Sequence, residues 1–151
     1  MNLLYSEVRI PKAVQDEFLT DLKSEQQKTE RFTFITNFFS KHSSWFIPCN
    51  EYGEDLVLIW LTANMHRGEA EVFAQNQYLE STYELIIDEG YARKIARKEN
   101  FKLHGVLYLI AVLDKKYGFC NYFKSVAHLK YNEGTHFKDA HINMVYENVA
   151  I

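Results

Sequence analysis

Proline and glycine are scarce in this chain, at 2 and 6 of 151 residues. So few chain breakers exclude collagen-like, linker-rich and low-complexity architectures. Cysteine is equally sparse. Cys49 and Cys120 lie far apart and neither belongs to a CxxC pair, which removes paired-thiol zinc and redox motifs. Two thiols suit a reducing compartment, although a single bridge between them is compatible with the sequence. Long hydrophobic runs are missing too. The strongest, Leu56–Leu61 and Val106–Leu113, are far too short to span a bilayer. Residues 1–9 offer neither a basic n-region nor an apolar h-region. The expectation is a cytoplasmic protein without membrane contact.

The familiar catalytic signatures are also absent. There is no GxSxG elbow, no GxxxxGK[ST] loop, no GxGxxG turn, and no HxxxH or HxH pair. No motif ties the chain to a family, and no cofactor or metal is expected from it.

What the chain does have is an ordinary globular composition enriched in aromatics: 47% hydrophobic, 25% charged and 15% Phe, Trp and Tyr. A length of 151 residues fits one domain with a core large enough to fold without metals or disulfides. The charge is divided along the chain. Residues 1–90 hold 7 Lys+Arg against 15 Asp+Glu, a net of −8, and residues 91–151 hold 10 against 5, a net of +5; together they give −3. Charge of one sign confined to part of a chain builds a field that steers a partner of the opposite sign.

Residues Leu3–Ile10 alternate loosely and end at Pro11, which reads as an edge strand followed by a helix start. From Lys12, the spacing of Val14, Phe18 and Leu22 is helical, and a second helical stretch carries Phe32, Ile35, Phe38 and Phe39 to about Ser44. Residues of about 11–44 therefore form a helical layer. Beyond residue 50, Gly68, Gly90, Gly118 and Gly134 follow polar runs that suit either hairpin loops or helix C-termini. The β-branched and aromatic content of Leu56–Leu61 and Val106–Leu113, and the rough alternation of Phe119–Tyr131, favour strands. Residues 91–98 read as helix, with 69–99 otherwise open between helix and strand. The same choice is open for the tail at about 135–148. The expected fold is α+β: an N-terminal helical pair packed on an antiparallel β-meander at about 55–134, with an all-α bundle as the alternative.

Three constellations are candidates for function. The acidic, aromatic front supplies Asp16, Glu17, Asp21, Glu51, Glu54 and Asp55 with Phe34, Phe38 and Trp45 as apolar anchors. That pattern fits a non-enzymatic binding protein of inhibitor or immunity type, engaging a basic protein such as a nuclease or toxin. The second is the basic segment Arg93, Lys94, Arg97, Lys98 and Lys102, flanked by Tyr91 and Phe101, which fits a nucleic-acid-binding accessory protein. The third is a small His-dependent hydrolase or nuclease, built around the C-terminal histidines His136 and His141 or around His66, with Arg67 and Glu69 as an acid/base and phosphate-binding group at a loop tip. Cys49 with a distant His66 is a further nucleophile candidate. The cluster Glu133, His136, Asp139 and His141 is a poor metal site, because His136 and His141 are about 140° apart on a helix and on opposite faces of a strand. His66, His104 and His128 are too scattered to predict a zinc site. Acidic and basic halves on one chain also allow self-association into a homo-oligomer.

Overall fold

The computed structural model describes residues 4–20, 25–132 and 137–150. Two compact units divide the chain: Met1–Leu85 with Gly90–Lys102, and Ile86–Glu89 with Leu103–Ile151. In chain order the elements are β1 (Val8–Pro11), α1 (Lys12–Thr20), α2 (Glu25–His42), β2 (Phe46–Cys49), α3 (Glu54–Thr62), α4 (Arg67–Tyr78), β3 (Leu85–Ile86), α5 (Gly90–Lys98), β4 (Leu103–His104), α6 (Val106–Lys115), α7 (Tyr122–Asn132) and α8 (Asp139–Asn148).

The class is α+β and the front is a helical pair, but the described residues form no antiparallel meander. Strands β1 and β2 pair in parallel, with Val8 opposite Phe46 and Pro11 opposite Cys49. Helices α1 and α2 lie between them in sequence, and such a long crossover is what a parallel return requires. Leu56–Leu61 lies in α3, Val106–Leu113 in α6, and most of Phe119–Tyr131 in α7. A six- to eight-residue apolar run looks the same as a buried strand or a buried helix. What tips α3 is its start, where Glu54 and Asp55 occupy the first turn against the positive end of the helix dipole. The tail also resolves as a helix, α8.

In the first unit α4 is the central element. Gly68, Ala70, Glu71, Phe73, Ala74, Gln75 and Asn76 along it are all buried. Trp60 of α3 meets Phe73 edge-on at 4.9 Å, and Phe101 closes the cluster at 5.4 Å from Phe73 and 6.2 Å from Trp60. Helix α5 buries only its small residues, Ala92 and Ala96. The hydroxyl of Tyr91, on α5, donates to the Ala63 carbonyl at 2.8 Å.

In the second unit Leu107, Ala111, Tyr122, Val126, Ile142 and Val149 form the core. The Asp88 carboxylate accepts the Val106 amide at the start of α6, at 3.0 and 3.3 Å. At the other end Gly118 takes φ +62°, its amide donating to the Asp114 carbonyl at 2.9 Å. It is a left-handed helix stop of the kind expected, and no hairpin follows. Gly68 and Gly90 instead sit at helix starts, and Gly134 lies outside the described residues. No helix among the described residues is long and apolar enough to cross a membrane.

Candidate functional site

Carboxylates in the first unit gather where α1 meets the start of α4. Glu71 is the best buried of them, at 4% exposure. One oxygen accepts the Ala13 amide at 2.7 Å and the Tyr52 hydroxyl, and the other accepts Arg67 Nε at 2.7 Å. Arg67 turns its two remaining nitrogens to both oxygens of Glu54, at 2.7 and 2.9 Å. This planar bidentate pairing is the strongest arrangement an arginine makes with a carboxylate. It holds the Glu54 carboxyl below its ordinary value and the Arg67 guanidinium above its own. Burial, reinforced by the bond to Glu71, pushes the Tyr52 phenol up. Glu71 is therefore fully committed: it ties α1, α4 and the segment before α3 together.

Two other carboxylates are differently placed. Glu17, near the end of α1, lays its carboxylate against buried Gly68. A Cβ there would stand 3.1 Å from Glu17 Cδ and 3.2 Å from Oε2, and nearer still to Oε1. Gly68 lies in the first turn of α4, so the Glu17 carboxylate faces the end of the helix where backbone amides have no intrahelical partner. Glu69 is in the same turn, half-buried, with Oε2 shielded from solvent and without a hydrogen-bond partner. An orphaned buried carboxylate oxygen is costly and calls for a partner such as an ion or a water; Trp60 Nε1, both amide atoms of Gln75 and Asn76 Nδ2 are orphaned as well. Among the described residues no three His, Cys, Asp or Glu side chains come together as a metal-holding group. Two carboxylates, Glu17 and Glu69, are too few for a closed protein cage and would leave a divalent ion most of its waters.

The chain matches the DUF3368 family, described as a PIN domain, over residues 1–150. It belongs to the PIN-domain family. Comparison with curated proteins and with solved structures gives no match. A PIN domain points to a nuclease-type enzyme that binds nucleic acid, and this overturns the inhibitor or immunity expectation. The inhibitor reading of the acidic front falls with it, and a protein partner has no support. The hydrolase or nuclease alternative is the one the family favours.

The sequence-predicted residues scatter within the first unit. Asp16 is exposed and pairs with Lys12 at 2.8 Å. Glu51 reaches Arg9 at 3.2 Å, and Glu54 is held by Arg67. Asp55 sits exposed in the first turn of α3. Phe34 is 68% exposed on α2, whereas Phe38 packs edge-on to Phe46 at 5.1 Å and Trp45 lies 5.3 Å from Phe46. Asp21 lies outside the described residues. Of the described members of this set, Glu17 lies on α1 against α4, and Glu54 reaches the start of α4 through Arg67. The basic set Arg93, Lys94, Arg97, Lys98 and Lys102 lies on α5 and just beyond it.

His66, Arg67 and Glu69 do lie together, but His66 is the residue before α4 and the others begin that helix, so no loop tip is involved. His66 is exposed and makes no side-chain cap to the helix. Cys49 is buried, and burial pushes its thiol up to about 11, which leaves it a poor nucleophile near neutrality. Both thiols are free. In the second unit His104 stacks on Tyr108 at 3.9 Å, while Glu133 and His136 lie outside the described residues. The role of Glu71 was not predicted. Its signal was available in the i,i+4 pair Arg67/Glu71 within Arg67-Gly-Glu-Ala-Glu71.

Proposed function

We propose that the chain is a nuclease that hydrolyses phosphodiester bonds at the junction of α1 and α4. The observation that carries this reading is the match to the PIN-domain family over residues 1–150. Supporting it are Glu17 packed on Gly68 and Glu69 with an unpartnered, shielded oxygen in the same helical turn.

Carboxylates and a nucleic-acid backbone are both anionic, so such a site works with a divalent cation, which Glu17 and Glu69 would hold. When bound, that ion offsets charge on the phosphoryl oxygens and lowers the pKa of water. The chain's own residues do the rest. The Glu69 carboxylate accepts the proton of the attacking water as a new P–O bond forms, and the P–O bond to the leaving oxygen breaks with that oxygen taking a proton from solvent. Glu71, Tyr52 and Arg67 fix α4 against α1 so that the two carboxylates keep their positions.

The test uses end-labelled single- and double-stranded RNA and DNA, incubated with magnesium or manganese and, separately, with a chelator. Cleavage by the parent chain should need the divalent ion. Glu17→Gln and Glu69→Gln should each slow it by about 10²–10⁴-fold with an unchanged thermal midpoint. A parent chain that binds strands but cuts none would favour a second reading, a PIN domain that binds without cleaving. The observation on that side is that no three metal-ligand side chains cluster among the described residues. Variants that cut at the parent rate would remove Glu17 and Glu69 from the site.

A further inference from the structure

Helix α5 is the most one-sided helix in the first unit. It sets Ala92 and Ala96 inward at 1% and 0% exposure, and its outer arc is cationic. Lys94, Arg97 and Lys98 are exposed on it, and Lys102 is exposed four residues after its end. None of these four side chains has a hydrogen-bond or ion-pair partner among the described residues. Arg93 is half-buried and has a partner, so it is not part of this free set. The helix contains no carboxylate, and Glu99 is the one acidic residue that follows within the segment.

Outside this segment the described cations of the unit are met by carboxylates, Lys41 in the last turn of α2 excepted. Arg9 is met by Glu7 and Glu51, Lys12 by Asp16, and Arg67 by Glu54 and Glu71. Two cations in a last helical turn are explained by the helix dipole, and Arg97 and Lys98 qualify. Lys94 and Lys102 are not, nor is the absence of any partner for all four.

One aromatic completes the surface. Tyr91, Lys94 and Lys98 stand at i, i+3 and i+7, so at 100° per residue they share one strip about 10 Å long. The Tyr91 ring is 46% exposed, and its hydroxyl is tied to the Ala63 carbonyl at 2.8 Å. A fixed ring beside a row of lysines is a stacking platform next to a phosphate track. In a duplex the base faces are already covered by their neighbours, so such a platform serves unpaired bases.

We infer that the outer face of α5 binds single-stranded nucleic acid, with Lys94, Arg97, Lys98 and Lys102 on phosphates and Tyr91 stacking on a base. This rests on the nuclease reading and adds to it the surface, and the residues, that hold the strand.

Fluorescence anisotropy of a labelled oligouridylate and oligothymidylate, in chelator so that no strand is cut, tests it across 50–300 mM KCl. Each single-strand phosphate that a variant no longer neutralises reduces the slope of log K against log salt by about 0.7. The variant with Lys94, Arg97, Lys98 and Lys102 all changed to Gln should therefore lose about 2–3 from the slope. Tyr91→Ala should weaken binding by about 5- to 150-fold with the slope unchanged. Tyr91→Phe, which keeps the ring and loses only the bond to Ala63, should bind nearly as the parent does. A matched duplex should bind more weakly than the strand.

A quadruple variant that keeps the parental slope overturns the inference, as does tighter binding of the duplex. Parental affinity in Tyr91→Ala would remove the stacking role. The two readings fail separately. A chain that cuts strands while the quadruple variant keeps its slope remains a nuclease that holds its substrate elsewhere. A chain that neither binds nor cuts any strand loses both.

Discussion

A methyl group on Gly68 would overlap the Glu17 carboxylate. The obstruction is the far end of a flexible side chain, so it moves at little cost. Against that small cost stands the preference of a helix for alanine, about 1 kcal/mol over glycine. Gly68→Ala should therefore leave the thermal midpoint unchanged or slightly raised, while displacing the Glu17 carboxylate by about an ångström. Displacement on that scale at a reacting centre costs roughly 10²-fold in rate. A Gly68→Ala protein that is stable and nearly inactive in strand cleavage is the expected result. Full activity would show that Glu17 need not lie against the α4 backbone. Glu71 differs from its neighbour at the same scale. Both are glutamates of the acidic front, yet Glu71 is locked by three donors and Glu69 leaves an oxygen without any.

Among the elements, the second unit depends on a tyrosine that joins two helices. Tyr122 at the start of α7 has 0% exposure, stacks on Tyr146 of α8 at 4.7 Å, and donates its hydroxyl to the Ile142 carbonyl at 2.9 Å. Burial pushes its phenol up from the ordinary value, so it stays a donor. Tyr122→Phe keeps the ring packing and leaves one buried carbonyl short of this donor. The expected loss is about 1–3 kcal/mol, read from the urea midpoint. A loss below about 0.5 kcal/mol would mean that the Ile142 carbonyl is satisfied within α8. In the first unit the corresponding joint is the Glu71 network, where a single side chain holds α1, α4 and Tyr52.

Taken over the whole molecule, the perturbed groups set a pH window for stability. Arg9 holds the Glu7 carboxyl below its ordinary 4.5 through a direct hydrogen bond, burial opposing and Tyr83 assisting. Arg67 does the same for Glu54, and Lys130 holds Asp139 below 3.8. A carboxyl whose folded value is depressed stabilises the fold above its unfolded value, and that contribution disappears as pH falls through the folded value. Cys49 is displaced upward from 9.0 to about 11, and its contribution is present below 9.0 and lost as pH rises toward 11. The urea midpoint should thus be flat between about 5 and 9, falling on both sides. Glu7→Gln should flatten the acid limb, and Cys49→Ser should flatten the alkaline one. An acid limb unchanged in Glu7→Gln would show that the Arg9 pair is not what that limb reports.

The sequence by itself determined the helical front, the α+β class and the cationic arc of α5, because each rests on local pattern: Val14 and Phe18 at helical spacing, Pro11 closing a strand, and Arg93/Arg97 and Lys94/Lys98 as i,i+4 pairs. Leu56–Leu61 and Val106–Leu113 read as strands because a short run that is apolar at every position, Leu58 and Ile59 included although the fold leaves them exposed, has no periodicity to separate helix from strand. Glu17 reads in the sequence as a contact for a basic partner, Glu69 as part of an acid/base group and Glu71 as nothing in particular, because a carboxylate in sequence carries no record of what it will face. That one is locked, one lies on a glycine and one keeps a bare oxygen follows from packing. Those differences arise where α1 packs on α4, between residues some fifty positions apart, and no local pattern encodes a contact of that range.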